Sequence, residues 1–413
     1  MKLFDELLWR GMIKDVSDYD LAQKRINEEK LRFYIGFDPT GQSLTVGHLV
    51  QIVRMRLMQL HGHIPIVLIG GATGQIGDPR EVGERKLITI EDALNNAKLI
   101  EQQINKYLDP KETIYVNNYD WISKISLIDF LRDYGKHFNV NYMLAKDIIA
   151  SRLDSGISYT EFSYMILQSL DYVHLYQNYD CQMQFGGSDQ WGNITAGLEL
   201  IRKMIGENDA IGMSSPLLLK SDGQKFGKSE GGAIWLDPEL TSPYEMYQYF
   251  LNTADEDAPE VLKKLTLLPI DEIARLEKAI KEKPEEREAQ KVLAREITTF
   301  VHGEEAFKEA LAITEALFSG EFNDLNENSF KTLAKALEGV KVEENTPLVD
   351  ALVLTKLASS KREAREFISN GAISVNDEKI QDTYYELTSL KALHKNFIIL
   401  KRGRRRHAVI YFK

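Results

Sequence analysis

At 413 residues, with 43% apolar and 27% charged side chains, the chain has the composition of a folded globular protein large enough for about two to four domains. Its net charge of −11 excludes a coat held on nucleic acid by bulk charge, while leaving room for a local basic surface. The single cysteine, Cys181, cannot form an intramolecular disulfide, and no apolar run approaches the ~20 residues of a bilayer span. The opening MKLFDELLWR carries Asp5 and Glu6 where a signal peptide is cationic and then apolar, so a cytoplasmic, membrane-free location is expected.

Residues 31–37 (LRFYIGF) and 63–70 (HIPIVLIG) are short apolar runs that stop at glycine or a turn, and read as strands. Between them Leu49, Ile52, Val53, Met55, Leu57 and Leu60 recur with helical spacing, which predicts a helix starting at Leu49. Further strands are expected at 113–116, 181–186 and 216–219, and a helix over 158–177. Strands alternating with helices imply an α/β fold with a doubly wound parallel sheet, whose ligands lie past the carboxyl ends of the strands. Beyond about residue 245 the character changes: 258–315 is rich in Ala, Leu, Glu and Lys with amphipathic helical periodicity. The expected division is an α/β domain over 1–220, a mobile loop and linker over 221–246, a helical domain over 247–320, a linker over 321–345, and a small basic α+β domain over 346–413.

Several segments carry candidate chemistry. YIGFDPTGQSLTVGHL (34–49) joins the first strand to its helix through an Asp38-Pro39 turn. Gly36 and Gly47 admit close backbone approach, Thr40, Thr45 and His48 supply donors, and Gly47-His48 stands at a helix N-terminus, which favours phosphate. The same spacing also suits an ordinary strand-turn-helix corner. SDGQKFGKS (221–229) sets two lysines three residues apart between glycines, a mobile cationic loop suited to phosphate or simply a solvated one. GATGQIGDPREVGERK (71–86) adds Arg80, Arg85 and Lys86. On the 158–177 helix, Tyr164, Gln168 and Asp171 form one polar stripe, facing either water or a buried polar ligand. QFGGSDQWGN (184–193) ends a strand in two glycines, with Ser188 placed to cap a helix. The chain closes on KRGRRRHAVIYFK, a cationic tail suited to a phosphate backbone.

Residues 45–48 resemble the His-x-Gly-His signature of class I aminoacyl-tRNA synthetases, with Thr45 replacing the first histidine. Gly36-Phe37-Asp38-Pro39-Thr40 resembles the tyrosyl branch, as does the Tyr-x-x-x-Gln-x-x-Asp pattern of Tyr164, Gln168 and Asp171. KFGKS resembles the Lys-Met-Ser-Lys-Ser motif, with Lys225, Lys228 and Ser229 matching. The resemblance spans essentially the whole chain, in the order of the bacterial members. It implies a Rossmann-like domain that activates L-tyrosine with ATP and Mg²⁺, without a tightly bound protein metal, and loads it onto tRNA(Tyr), in a homodimer.

Site roles follow by the same resemblance. Thr40 and Thr45 hold the γ-phosphate, His48, Lys225, Lys228, Ser229 and Arg85 are the other catalytic residues, and His48 and Lys228 also bind ATP. The 78–86 loop lacks the family's Ser-Gly-Lys, and whether Arg80 replaces that lysine stays open. Tyr164, Gln168 and Asp78 hold the substrate ammonium, Tyr34 and Asp171 bond the phenolic hydroxyl, Asn118 stands beside it, and Gln190 lies near the carboxylate. Gly36, Asp38, Gly47, Gly187 and Asp189 belong to the ATP side, the last two at the ribose. Arg202 and Lys203 meet the tRNA acceptor end. The C-terminal segment resembles an RNA-binding fold shared with a ribosomal small-subunit protein, whose RNA face comprises Lys356, Lys361, Arg362 and Arg365, with Arg404 and Arg405 in the tail. A tryptophan-specific relative is disfavoured, because Tyr34 and Asp171 suit a phenol. A catalytically weakened RNA-binding paralogue draws on Thr45 and the altered loop, against Asp78, Gln190, Lys225 and Lys228.

Overall fold

The structure, a computed structural model, describes residues 1–79, 88–229, 232–322, 325–403 and 406–412, apart from the side chains of residues 147, 148, 228 and 229. Arg80, Arg85, Lys86, Arg404 and Arg405 therefore lie outside the described residues, as do the side chains of Lys228 and Ser229. The chain divides into two compact units: Met1–Asp237 with Ala254–Ala289, and Pro238–Thr253 with Gln290–Lys413.

The first unit is built on five parallel strands, β1 (Arg32–Phe37), β2 (Ile64–Ile69), β3 (Ile114–Asn117), β4 (Met183–Gly187) and β5 (Ile211–Ser215), in the order β3-β2-β1-β4-β5. β5 is buried at all five positions and β2 from Pro65 onward, as expected of a parallel sheet covered on both faces. Strand order runs outward from β1 to β3 on one side and from β4 to β5 on the other. The reversal between β1 and β4 opens a crevice at their carboxyl ends.

Residues 216–219, expected as a strand, are not one. The fifth strand lies earlier, at Ile211–Ser215, and Pro216, with no N–H to donate, ends it. The helix expected from Leu49 begins at Val46 and runs to Leu60. The helical segment 247–320 does not behave as one body, since Ala254–Ala289 belongs with the sheet. Arg10 explains part of this: its buried guanidinium donates to the carbonyls of Lys263 (3.1 Å), Thr266 (3.1 Å) and Leu268 (2.7 Å), gathering the oxygens left over at a helix end.

In the second unit a five-stranded sheet pairs Phe397–Arg402 with Arg406–Phe412 and ends on Val340–Val342. Alternate residues serve opposite faces. Phe397, Ile399 and Val409 pack with Ile313, Phe330 and Leu333, while Ile398, Leu400, Ala408 and Ile410 pack with Leu348, Leu352 and Ile368. The 321–345 stretch, expected as a linker, holds the Glu327–Ala336 helix and the Val340–Val342 strand, both inside these cores. Among the described residues, no helix is long and apolar enough to cross a membrane.

Candidate active site

At the carboxyl end of β1 the chain turns through Asp38-Pro39. Asp38 accepts from the Thr73 hydroxyl at 2.7 Å on one oxygen and from the Tyr164 hydroxyl at 2.8 Å on the other. This joins the first loop, the loop after β2 and the Tyr159–Tyr179 helix. Gly70 is required there, since a Cβ would stand 2.1 Å from Asp38 Oδ1. Thr40 is exposed, with its N–H on the Asp38 carbonyl at 2.8 Å.

Thr45 is the N-cap of the Val46–Leu60 helix. Its N–H donates to His48 Nδ1 at 3.1 Å, and its Oγ1 lies 3.0 Å from the same nitrogen. The Thr45 hydroxyl, expected at the γ-phosphate, is thus engaged with His48. Accepting at Nδ1 places the neutral ring's proton on Nε2, a donor open to the cleft. His48 is solvent-accessible yet ringed by protein, and that desolvation lowers its pKa, opposed by the Thr45 backbone bond.

The cationic segment is a hairpin, Lys228–Ser229 paired with Gly232–Ala233. Its backbone is laced to the first loop. Ile234 N–H donates to the Gly227 carbonyl, Val46 N–H to the Ile234 carbonyl, and Leu236 N–H to the Leu44 carbonyl, each at 2.9 Å. Gly227, at φ +89°, passes so close to Gly47 that a Cβ would come within 3.2 Å of the Gly47 nitrogen. Lys225 is exposed beside this junction, bridged through its backbone to Leu219. The structure therefore brings the Gly47-His48 and Lys225–Ser229 segments together.

The polar stripe of the Tyr159–Tyr179 helix faces inward. Asp171 is 2% exposed and accepts from Asn118 Nδ2 and Trp121 Nε1, both at 2.9 Å. Burial lifts its pKa to about 8, opposed by those two donors. Asn118 also accepts from the Ala72 N–H at 2.7 Å and donates to Thr73 Oγ1 at 3.0 Å, tying the end of β3 to the loop after β2. On β1, the Tyr34 hydroxyl is buried without a hydrogen-bond partner. Its pKa is raised well above the usual phenol value, first by burial and then by Asp171.

Gln168, on the same stripe, belongs to a carboxylate–amide network. Gln190 Nε2 donates to Asp78 Oδ2 at 2.7 Å. Asn193 Nδ2 reaches Asp78 Oδ1 at 3.2 Å, Gln168 Oε1 at 3.1 Å and Gln190 Oε1 at 3.1 Å. Burial raises the Asp78 pKa to about 6, against the Gln190 bond and with Asp38 and Asp189 adding repulsion. Gln190, expected at the substrate carboxylate, is here bonded to Asp78, and Tyr164, expected with Asp78, is bonded to Asp38. Ser188 opens a 3₁₀ turn rather than capping the helix, which begins at Trp191. A Cβ at Gly187 would lie 2.4 Å from Asp189 Oδ1, so the exposed Asp189 side chain would have to swing aside. Asn193 and Trp121 were not among the sequence candidates. The available signal was their position three residues beyond Gln190 and Asn118.

The basic residues lie elsewhere. Arg202 donates to Glu199 at 2.8 and 2.7 Å, and Lys203 to the His137 carbonyl at 2.7 Å. These partners hold the Glu199 carboxyl down to about 2. In the second unit Lys361 pairs with Asp350 at 2.7 Å and Lys356 with Glu338 at 3.6 Å, while Arg362 and Arg365 are exposed on the Lys361–Ser369 helix.

Residues 26–319 match the family model for class I tRNA synthetases (W and Y), and 329–410 match the tyrosine–tRNA ligase SYY-like C-terminal domain. The chain is 51% identical to a tyrosine–tRNA ligase of Onion yellows phytoplasma, covering 100% of both chains. It is 48% identical to tyrosine–tRNA ligase 1 of Bacillus subtilis, covering 100% of this chain and 99% of the relative. Among solved structures, a C-terminally truncated mitochondrial tyrosyl-tRNA synthetase of Aspergillus nidulans superposes with a TM-score of 0.67 at 30% identity, covering 77% of this chain and 94% of that one. The crevice between β1 and β4, the adjoining Gly47-His48 and Lys225–Ser229 segments and the matches over both units agree: the chain belongs to the class I tRNA synthetases of the tryptophan and tyrosine branch.

Proposed function

We infer that the chain activates L-tyrosine with ATP, forming tyrosyl-adenylate and pyrophosphate, and then transfers the tyrosyl group to the terminal adenosine of tRNA(Tyr), releasing AMP. The observation that carries the choice of amino acid is the buried Tyr34 hydroxyl, without a partner and near enough to Asp171 to feel its charge, while the two Asp171 oxygens are held by Asn118 and Trp121. A substrate phenol supplies the missing partner, and a phenylalanine ring does not. Tyrosine-dependent ATP–pyrophosphate exchange tests the reading: exchange with tyrosine but not phenylalanine or tryptophan supports it, and no exchange with any amino acid sinks it.

In the first step the tyrosine carboxylate attacks the α-phosphorus and pyrophosphate departs. The protein forms no covalent bond and acts by placing charge against developing charge. His48 Nε2–H and the Gly47 end of the helix face the nucleotide, with Lys225, Lys228, Ser229, Thr40 and Arg85 around the departing pyrophosphate. Mg²⁺ accompanies ATP as counter-ion of its phosphates. Among the described residues no group of three or more His, Cys, Asp and Glu assembles into a metal cage. Lys228→Ala is expected to lower kcat for exchange roughly hundredfold while leaving tyrosine affinity unchanged. A defect confined to affinity would remove Lys228 from the pyrophosphate grip.

Asp78, with Gln168, faces the substrate ammonium. Its pKa of about 6 makes this contact pH-dependent. Below that value the carboxyl is protonated and loses its attraction for the cation, so KM for tyrosine should rise roughly tenfold between pH 7 and pH 5. Asp171 titrates on the other side of neutrality and leaves this window to Asp78. Asp78→Asn should raise KM at pH 7 and flatten the profile, whereas an unchanged slope would assign the titration to another group.

Arg202 and Lys203 are proposed for the acceptor end of the tRNA. Lys361, Arg362, Arg365, Arg404 and Arg405 are proposed for its backbone elsewhere. The exposed apolar side chains of Leu127, Ile128, Leu131 and Val140 support a homodimer. A cytoplasmic location accords with this chemistry.

A further inference from the structure

The Val46–Leu60 helix carries two arginines, Arg54 and Arg56, and the first of them lies in the interior. Arg54 is completely buried, its guanidinium carbon 3.5 Å from the centroid of the Phe185 ring. One terminal nitrogen donates to Gln51 Oε1, while Nε and Nη1 have no hydrogen-bond partner. Burial lowers its pKa to about 9, which leaves it cationic at neutral pH. Among the described residues no carboxylate pairs with it, and an unpaired cation in a protein interior opposes folding.

Its surroundings point to the nucleotide side of the crevice. Phe185 directly precedes Gly186-Gly187 at the carboxyl end of β4. Gln51 lies one turn beyond His48 on the same helix and is half-buried. An arginine only donates, so Gln51 must turn its oxygen inward to Arg54 and its NH₂ outward. His48 likewise has its Nδ1 taken by Thr45 and its Nε2–H free. Two N–H donors, one turn apart, are thereby oriented by bonds made behind them.

We propose that Arg54 is a positioning residue for ATP, fixing the Gln51 amide so that its N–H meets an oxygen of the bound nucleotide and backing the positive end of the helix with a buried charge. The inference rests on the ATP-dependent activation proposed above. It also accounts for the survival of an unpaired charge in the core: the anion that uses it arrives with the substrate.

Steady-state exchange kinetics and thermal melting of the full chain test it. Arg54→Met should raise KM for ATP about tenfold, leave KM for tyrosine unchanged, and leave the melting temperature unchanged or higher, because an apolar side chain of similar volume removes the unpaired ion. Arg54→Lys should recover part of the loss, and adding Gln51→Ala to Arg54→Met should weaken ATP use no further. An unchanged KM for ATP in Arg54→Met overturns the proposal. So does an equal rise in both KM values with a lowered melting temperature, which marks a packing role alone. Equilibrium dialysis with ATP separates this inference from the tyrosine reading: weaker ATP binding by Arg54→Met than by the parent supports it even if tyrosine-dependent exchange is absent.

Discussion

Replacing Asp171 with alanine is expected to lower kcat/KM for tyrosine by about thirty- to a thousandfold while leaving KM for ATP within about twofold. The loss has two parts. The substrate phenol loses a partner, and the N–H groups of Asn118 and Trp121, each 2.9 Å from an Asp171 oxygen, are left unpaired. Asn118 is fully buried, so water does not readily replace the lost acceptor, and roughly 2–4 kcal/mol is at stake. The same change should narrow the preference for tyrosine over phenylalanine, because phenylalanine no longer strands a carboxyl group. Exchange assays with both amino acids give the ratio. An unchanged ratio would show that Asp171 does not read the phenol.

Removing residues 346–413 should nearly abolish tRNA charging while adenylate formation stays within about threefold, since the residues proposed for tyrosine and ATP fall within the range of the first unit. The cut also has a structural consequence. Phe397, Ile399 and Val409 leave the core they share with Ile313, Phe330 and Leu333. At about 1.5–3 kcal/mol per buried side chain, roughly 5–9 kcal/mol of burial is lost from what remains of the second unit. Calorimetry should therefore show one unfolding transition weakened or missing and the other near its original temperature. Equal loss of adenylate formation and charging would make the C-terminal region a scaffold rather than an RNA contact.

Where hydrophobic pattern alone sets structure, the sequence was readable: the first four strands of the parallel sheet fall at the apolar runs ending in glycine, asparagine or a turn. At two segments local chemistry competes with that pattern. PLLL is apolar enough for a strand, yet its leading proline ends the ladder at Ser215. Polar 321–345 looked like a linker, yet Phe330, Leu333 and Ala334 place a helix in the core. Long-range bonds were beyond reach: Arg10 reaches carbonyls more than 250 positions away, and no periodicity announces it. At the candidate site, several motif residues stand in short runs of sequence, whereas Asn193 and Trp121 join it through bonds to side chains distant in sequence.

Asn193 has only two amide hydrogens, and its nitrogen lies within reach of Asp78, Gln168 and Gln190 together. Effects of substitutions at these three positions should therefore not add, because each change redistributes the same two protons among the survivors. A lineage drifting at one of them would need to move the others in step, so variation around the proposed ammonium site should be inherited as a block.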